Sequence, residues 1–242
     1  MSARPNYGQD SPGIVATLFA LAIGVSSAIP FVHSAWRWVL TGVGVYFLLG
    51  AFGMLYYSRF GKIGLRDRLL EKISWRGDEK VLDVGCGRGL LTVGVARRLS
   101  NGSVTGVDVW VPTAVSGNRS DSVLENARIE HVGDRVSIQE GDARKLPFPD
   151  GVFDVVVSNF VVHELQLPAD RVKMMSEIAR VLKRGGRVAL ADFIFTDECV
   201  ANLRKSGVQA ERARDGSLSF WITAILNFGL VRTYFVIGKK ES

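Results

Sequence analysis

Cysteine and histidine are scarce in this chain, two and three among 242 residues, and their positions exclude the chemistry they most often carry. Cys86 and Cys199 lie far apart and form no Cys-x-x-Cys pair, so neither a disulfide framework nor a thiolate zinc site is expected. His33, His131 and His163 share no metal-ligand spacing, and no metal is expected. No low-complexity tract or internal repeat occurs. No Gly-Lys-Ser/Thr follows any loop, which excludes a phosphate-cradling P-loop. With so little thiol chemistry, the chain reads as a reduced, cytosol-facing protein.

Charge is also missing from two long stretches. Gly13–Val32 and Val39–Tyr57 carry none and are rich in Ala, Leu, Val and Phe. Each has about the length that a bilayer core requires. Trp36 and Trp38 flank the start of the second stretch and Tyr56 and Tyr57 its end, in the manner of aromatic belts. Small residues recur at Ala16, Ala20, Gly24 and Ala28, with Gly42, Gly50 and Gly53 on the second stretch. The expected arrangement is a two-helix transmembrane hairpin, with spans of about 13–32 and 37–57 and a turn near Pro30–Ala35. The small-residue stripes also allow pairing between chains, as a homo-oligomer. A cleaved signal peptide or buried core helices are the competing readings.

The net charge of +6 suits an anionic membrane surface as well as nucleic acid. Arg59, Lys62, Arg66, Arg68, Lys72 and Arg76 follow the second span, against Asp67 and Glu71. The turn holds only Arg37, with His33. By the positive-inside rule the domain after the spans is expected on the cytoplasmic side of a multi-pass membrane protein. This divides the chain into 1–58, tail and hairpin, and 59–242, a catalytic domain.

What is present in the second part is a run of alternating strands and helices. Strands are expected at Lys80–Gly85, Ser103–Trp110, Val136–Glu140, Val152–Asn159 and Arg187–Phe195, with two more near Gln209–Arg214 and Val231–Gly238. Helices are expected at Leu90–Leu99, Ser122–Val132 and Asp170–Lys183. The alternation predicts an α/β fold with a doubly wound, parallel, seven-stranded sheet whose ligands bind at the carboxyl ends of the strands. At the first of those ends stand Gly85, Gly87 and Gly89, where bare backbone can approach a ligand. Asp83 precedes them. Asp108 closes the second strand, where a carboxylate can take both hydroxyls of a ribose. Gly141-Asp142-Ala143 closes the third, where Asp142 can take an adenine amino group. The spacing Gly-x-Gly-x-Gly differs from the Gly-x-Gly-x-x-Gly of dinucleotide folds.

Val81–Gly89, Asp108, Gly141-Asp142-Ala143, Phe153-Asp154-Val155-Val156 and Val181–Arg187 together resemble the class I S-adenosylmethionine-dependent methyltransferases over about Val81 to Phe195. The small-molecule branch that includes ubiquinone and menaquinone biosynthesis enzymes is the most similar. The resemblance implies a Rossmann-like methyltransferase fold with S-adenosylmethionine as cofactor. It implies that Gly85, Gly87 and Gly89 admit the methionine moiety, with Asp83 near its amino group. Asp108 would hold the ribose, Trp110 flank the adenine and Asp142 bind its amino group. Asn159 and Phe160 would line the boundary between cofactor and substrate. The stretch Val111–Asp121 is longer than the family pattern, and the hairpin lies outside the family core.

Methyl transfer to oxygen or carbon needs a base, and His163 and Glu164, just past the fourth strand, are the catalytic candidates. Cys86, between two glycines, reads as small filler. The apolar stretch Phe220–Phe228 reads either as core or as a lip toward a bilayer or lipidic substrate. The leading expectation is a membrane-anchored methyltransferase acting on a hydrophobic small molecule or lipid. The alternatives are a nicotinamide-dependent reductase, against which the absence of a Tyr-x-x-x-Lys dyad counts, and a non-catalytic membrane scaffold. Nucleic acid is not expected as a partner, because no Asn-Pro-Pro-Tyr-type motif is present.

Overall fold

The short apolar runs Val81–Val84 and Val155–Val157 lie side by side as parallel neighbours in the middle of one sheet. A computed structural model describes residues 4–110, 118–215 and 232–241. Within them the strands are β1 (Lys80–Val84), β2 (Ser103–Asp108), β3 (Val136–Glu140), β4 (Phe153–Asn159), β5 (Leu182–Asp192), β6 (Val208–Arg214) and β7 (Tyr234–Lys240). Their order in the seven-stranded sheet is β3-β2-β1-β4-β5-β7-β6. Strands β1 to β5 pair in parallel, as expected. The sheet is mixed, however, because β7 inserts antiparallel between β5 and β6.

Alternation along the strands assigns the two faces. Leu82, Val84 and Val156 join Met174, Met175, Ile178 and Leu203 of α6 (Pro168–Val181) and α7 (Thr196–Lys205). Val81, Val155 and Val157 join Leu65, Leu69, Leu70 and Leu91 of α3 (Lys62–Leu70) and α4 (Leu90–Ala96). Full burial of each such side chain contributes roughly 1.5–3 kcal/mol, so the sheet is a rigid platform for the loops at its edge. Helix α5 (Ser120–Ile129) adds Ala127 to the second face.

Two differences from the sequence reading have local causes. Strand β5 begins at Leu182 rather than Arg187, because Leu182 pairs with Phe153 before the ladder shifts and resumes at Val155–Arg187. The Lys183–Gly186 stretch is that irregularity, with Gly185 at φ +71°. Helix α7 is absent from the sequence reading, although Cys199, Val200 and Leu203 form its buried side. Part of Val111–Asp121, Val231 and all of Phe220–Phe228 lie outside the described residues.

The hairpin forms as expected: α1 (Pro12–Ala28) packs against α2 (Ser34–Tyr56) across a turn at Ile29–Phe31. Its seam differs from the expected stripe. Val15, Ala22, Gly44 and Ala51 are the buried positions. A Cβ on Gly44 would meet Ser26 Oγ at 3.3 Å, and one on Gly50 would meet Leu18. Ala16, Ala20 and Gly24 face outward, and among the described residues neither Gly24 nor Gly42 has a neighbour within 4 Å of a built Cβ. Only 11% of each helix's most apolar window is buried within the chain, so these are not core helices of this domain.

Helix α2 continues through a wider π-turn, Tyr57–Gly61, into α3. Lys62, where α3 starts, donates to the carbonyls of Tyr7 and Gly8 at 2.9 and 2.6 Å. The segment after α3 reaches the amino end of the sheet, where Arg187 at the resumed ladder donates to the Ser74 carbonyl. Strand β1 then returns toward the level of Lys62, and the loop after it carries Arg88, which donates to the Asn6 carbonyl. The hairpin therefore joins the domain at the carboxyl edge of the parallel strands.

Candidate active site

The three glycines after β1 take positive φ, +72°, +53° and +83° at Gly85, Gly87 and Gly89, but for different reasons. A Cβ on Gly85 would lie 2.1 Å from Val161 Cγ2, and one on Gly89 would lie 2.8 Å from Val123 of α5. These two glycines let neighbouring segments close in. Among the described residues Gly87 meets nothing nearer than Asn118 Oδ1 at 3.9 Å, so its side is the one a ligand can approach. The loop is tied to β2 by the Gly85 and Cys86 amides, which both donate to the Val107 carbonyl. Cys86 is buried, and a Cβ on Gly106 would strike its Sγ at 2.8 Å. It fills space, as expected.

Asp83 points to the α4 face and is buried. Its Oδ2 accepts a hydrogen bond from Thr92 Oγ1 at 2.6 Å, while Oδ1 has no partner. Burial pushes its pKa up to about 7; the Thr92 bonds oppose this and the charge of Asp108 adds to it. Asp108 accepts the Gly87 amide on Oδ2 at 2.8 Å and the Trp110 amide on Oδ1 at 2.7 Å. The Trp110 indole N–H donates back to the Gly87 carbonyl at 3.2 Å. Asp83, the glycine loop, Asp108 and Trp110 thus form one linked cluster. Each Asp108 oxygen keeps acceptor capacity beyond its single amide bond.

Asp142 is differently placed. Arg144 grips both of its oxygens, at 2.6 to 3.0 Å, and the Arg144 amide donates to Oδ1 as well. The guanidinium holds the Asp142 carboxyl below the usual carboxylate range. Arg144 also reaches Asp170. An adenine amino group would compete with this pair. Ala143 is half-buried and packs against the α6 side of the core.

A second cluster forms where β4 and β5 end. Asn159 has a buried Oδ1 with no hydrogen-bond partner. Phe160 turns the chain at φ +56°, held by its amide to the Ala191 carbonyl. In the single turn that follows, His163 Nδ1 lies 3.3 Å from the carboxylate of Asp192, and Nε2 lies 3.2 Å from Glu164 Oε1. Burial works against a charged imidazole, but the hydrogen bond and charge of Asp192, helped by Glu164, outweigh it and raise the His163 pKa. The Phe193 ring sits 4.7 Å from the imidazole and Phe160 6.3 Å. Val161 against Gly85 joins the two clusters.

Asp192 is the site residue that the sequence reading missed. It is buried and closes β5, the same position by which Asp108 was singled out on β2. Among the described residues no group of side chains could hold a metal ion.

The donor set can be tested against the expected cofactor. Asp83 Oδ1 and Asn159 Oδ1 are buried acceptors lacking donors, on strands that pair directly. An amino-acid ammonium supplies the missing donors, and the open side of Gly87 supplies the approach. The residues fit the group.

Comparison with known proteins agrees. Residues 82–190 match a family model described as a methyltransferase domain. The chain is 31% identical over 179 residues to 27-O-demethylrifamycin SV methyltransferase of Amycolatopsis mediterranei, covering 63% of this chain and 62% of that protein. It is 33% identical over 124 residues to a demethylmenaquinone methyltransferase of Staphylococcus aureus, covering 51% and 46%. The chain thus spans less than two thirds of these relatives' length. In fold it is similar to the [4+2]-cyclase SpnF, with a TM-score of 0.59 and 21% identity over 74% of this chain and 80% of that one. These matches favour the methyltransferase reading over the reductase alternative.

Proposed function

We propose that the protein is a membrane-anchored, class I S-adenosylmethionine-dependent methyltransferase that methylates a hydrophobic small molecule or lipid, a reading supported by the match of residues 82–190 to a methyltransferase domain and by the likeness to methyltransferases. When bound, S-adenosylmethionine supplies a methyl group already activated on a sulfonium. The protein's work is to hold the donor, align the acceptor and take up its proton. Asp83 and Asn159 take the ammonium, the Gly87 backbone admits the methionine moiety, and Asp108 holds the ribose hydroxyls. Trp110 flanks the adenine, with Asp142 and Ala143 at its amino edge.

His163 is the base, and Asp192 fixes its tautomer by accepting the hydrogen bond of Nδ1–H, which leaves Nε2 free of a proton and able to accept one. Glu164 lies against Nε2 and is exposed enough to swing aside. Phe160 and Phe193 beside the imidazole favour an apolar acceptor.

What supports the membrane reading is the union of two observations. The hairpin leaves Phe31, Trp36, Trp38, Val39, Leu49 and Phe52 exposed, and exposed apolar side chains gathered on one element mark a membrane or partner surface. It also joins the domain at the edge that holds the glycine loop and His163. A mouth on that edge faces the bilayer, with the domain on the cytoplasmic side. Helix α1 is about 26 Å long and α2 about 35 Å, against a hydrocarbon core of about 30 Å.

The test is incubation of the purified full chain with labelled methyl donor and a membrane lipid extract. Label is expected in the organic phase, and lost in Asp108→Ala. Label confined to water-soluble acceptors would overturn the lipid-substrate reading.

A further inference from the structure

We infer that Asn126 is a positioning residue that clamps an N-terminal strap, Asn6–Asp10, onto the glycine loop, so that cofactor affinity depends on the segment leading into α1. The inference rests on the methyltransferase reading and names a control of that same site. Asn126 lies on α5, one turn after Val123, and is buried. Its carboxamide makes three hydrogen bonds. Oδ1 accepts the Asn6 amide at 2.7 Å, and Nδ2 donates to the Asn6 carbonyl at 3.0 Å and the Arg88 carbonyl at 2.9 Å. Arg88 stands between Gly87 and Gly89, and its Nε also donates to the Asn6 carbonyl, at 2.8 Å. Strap, helix and loop therefore share one ring of hydrogen bonds.

The rest of the strap is held as firmly. Tyr7 packs among Leu65, Leu69 and Leu91. The buried Lys62 ammonium binds the carbonyls of Tyr7 and Gly8 and reaches Asp10 Oδ2 at 3.1 Å. The Asp10 amide donates to Ser58 Oγ, and α1 starts at Pro12. Three catalytic-domain side chains, Asn126, Arg88 and Lys62, thus satisfy strap backbone groups that would be costly to bury unpaired. Gly87, whose open side faces the cofactor, is one residue from the carbonyl that Asn126 holds. A shift of the strap moves that carbonyl, and by reciprocity a ligand that orders the loop must order the strap.

Asn126→Asp has the same shape but no N–H, and sets a carboxylate against two carbonyl oxygens. The probe is S-adenosylhomocysteine with the full chain in detergent micelles. Calorimetry is expected to give a Kd raised about tenfold in Asn126→Asp. Hydrogen exchange of the Asn6–Asp10 amides is expected to slow when the probe binds the natural chain. That second measurement needs no variant, so it decides the matter even where Asn126→Asp does not fold. Strap exchange indifferent to bound probe, or a variant Kd within about twofold of the natural one, overturns the inference and leaves the methyltransferase reading standing. Failure of the natural chain to bind the probe overturns both.

Discussion

His163 Nδ1 lies 3.3 Å from the buried carboxylate of Asp192, whose other bonds come from the backbone amides of His163 itself and Phe193. The carboxylate both aims the ring and holds its pKa up. Asp192→Asn removes the charge and leaves burial as the main influence, so the pKa falls. Activity that depends on neutral His163 rises with pH through that raised value in the natural protein. In Asp192→Asn the acidic limb of the pH–rate profile is expected to move to lower pH, while the maximal rate drops roughly 10- to 100-fold as orientation is lost. His163→Ala is expected to slow transfer similarly and leave S-adenosylhomocysteine affinity unchanged. An unshifted profile in Asp192→Asn removes the pairing from the mechanism.

Asp83 carries a different pH dependence. Its pKa of about 7, set mainly by burial, lies above the ordinary value, so protonated Asp83 is favoured in the empty site. Its stability contribution is present below the ordinary carboxylate range and is lost as pH rises toward 7. The ligand's ammonium needs the ionised form, so binding near pH 6 must release a proton. Calorimetry in buffers of different ionisation enthalpy is expected to show that release below pH 7 and none at pH 8. Asp83→Asn is expected to raise the melting temperature of the ligand-free protein at pH 8 while binding S-adenosylhomocysteine poorly.

The glycines separate packing from approach. Gly85→Ala drives a methyl group into Val161 at positive φ, and is expected to cost about 2–4 kcal/mol in thermal or denaturant unfolding. Among the described residues Gly87→Ala meets no atom nearer than 3.9 Å, and it suffers mainly the backbone penalty, about 1 kcal/mol. It is expected to remain folded yet lose cofactor binding. Equal stability losses in the two variants would contradict the assignment of the open face.

Much of this site was legible because it sits at strand ends, and strand ends are marked by the change from apolar runs to Gly and Asp. Asp83, Asp108 and the glycine loop came from that rule alone. Asp192 obeys the same rule but needed a partner to be noticed. Its contact with His163 depends on β4 and β5 being neighbours, 29 residues apart in sequence. The grip of Arg144 on Asp142 is a local competition that residue type alone does not reveal. The order β5-β7-β6 and the N-terminal strap are long-range pairings, which leave no periodic trace. The hairpin seam differs from the expected stripe: the buried positions of the first helix are Val15 and Ala22, not Ala16, Ala20 and Gly24. Apolar residues surround both helices, so no polar face marks the outward side.

That misplacement supplies a test of the hairpin itself. Gly44 lies in the seam, where a Cβ already crowds Ser26 Oγ at 3.3 Å, while Gly24 looks outward with nothing within 4 Å. Without a hydrophobic drive between helices in lipid, close packing of small residues holds such a pair together. Gly44→Leu is therefore expected to splay the helices, and Gly24→Leu to add apolar surface toward the lipid without disturbing the pair. Proximity can be read from cysteine pairs placed at Ala22 and Ala51 in the natural chain and in each variant, reconstituted in bilayers. Cross-linking that survives in Gly24→Leu and falls in Gly44→Leu supports the seam seen here. The reverse result would place the seam on the Ala16–Ala20–Gly24 stripe, and the hairpin would then approach the domain from another side.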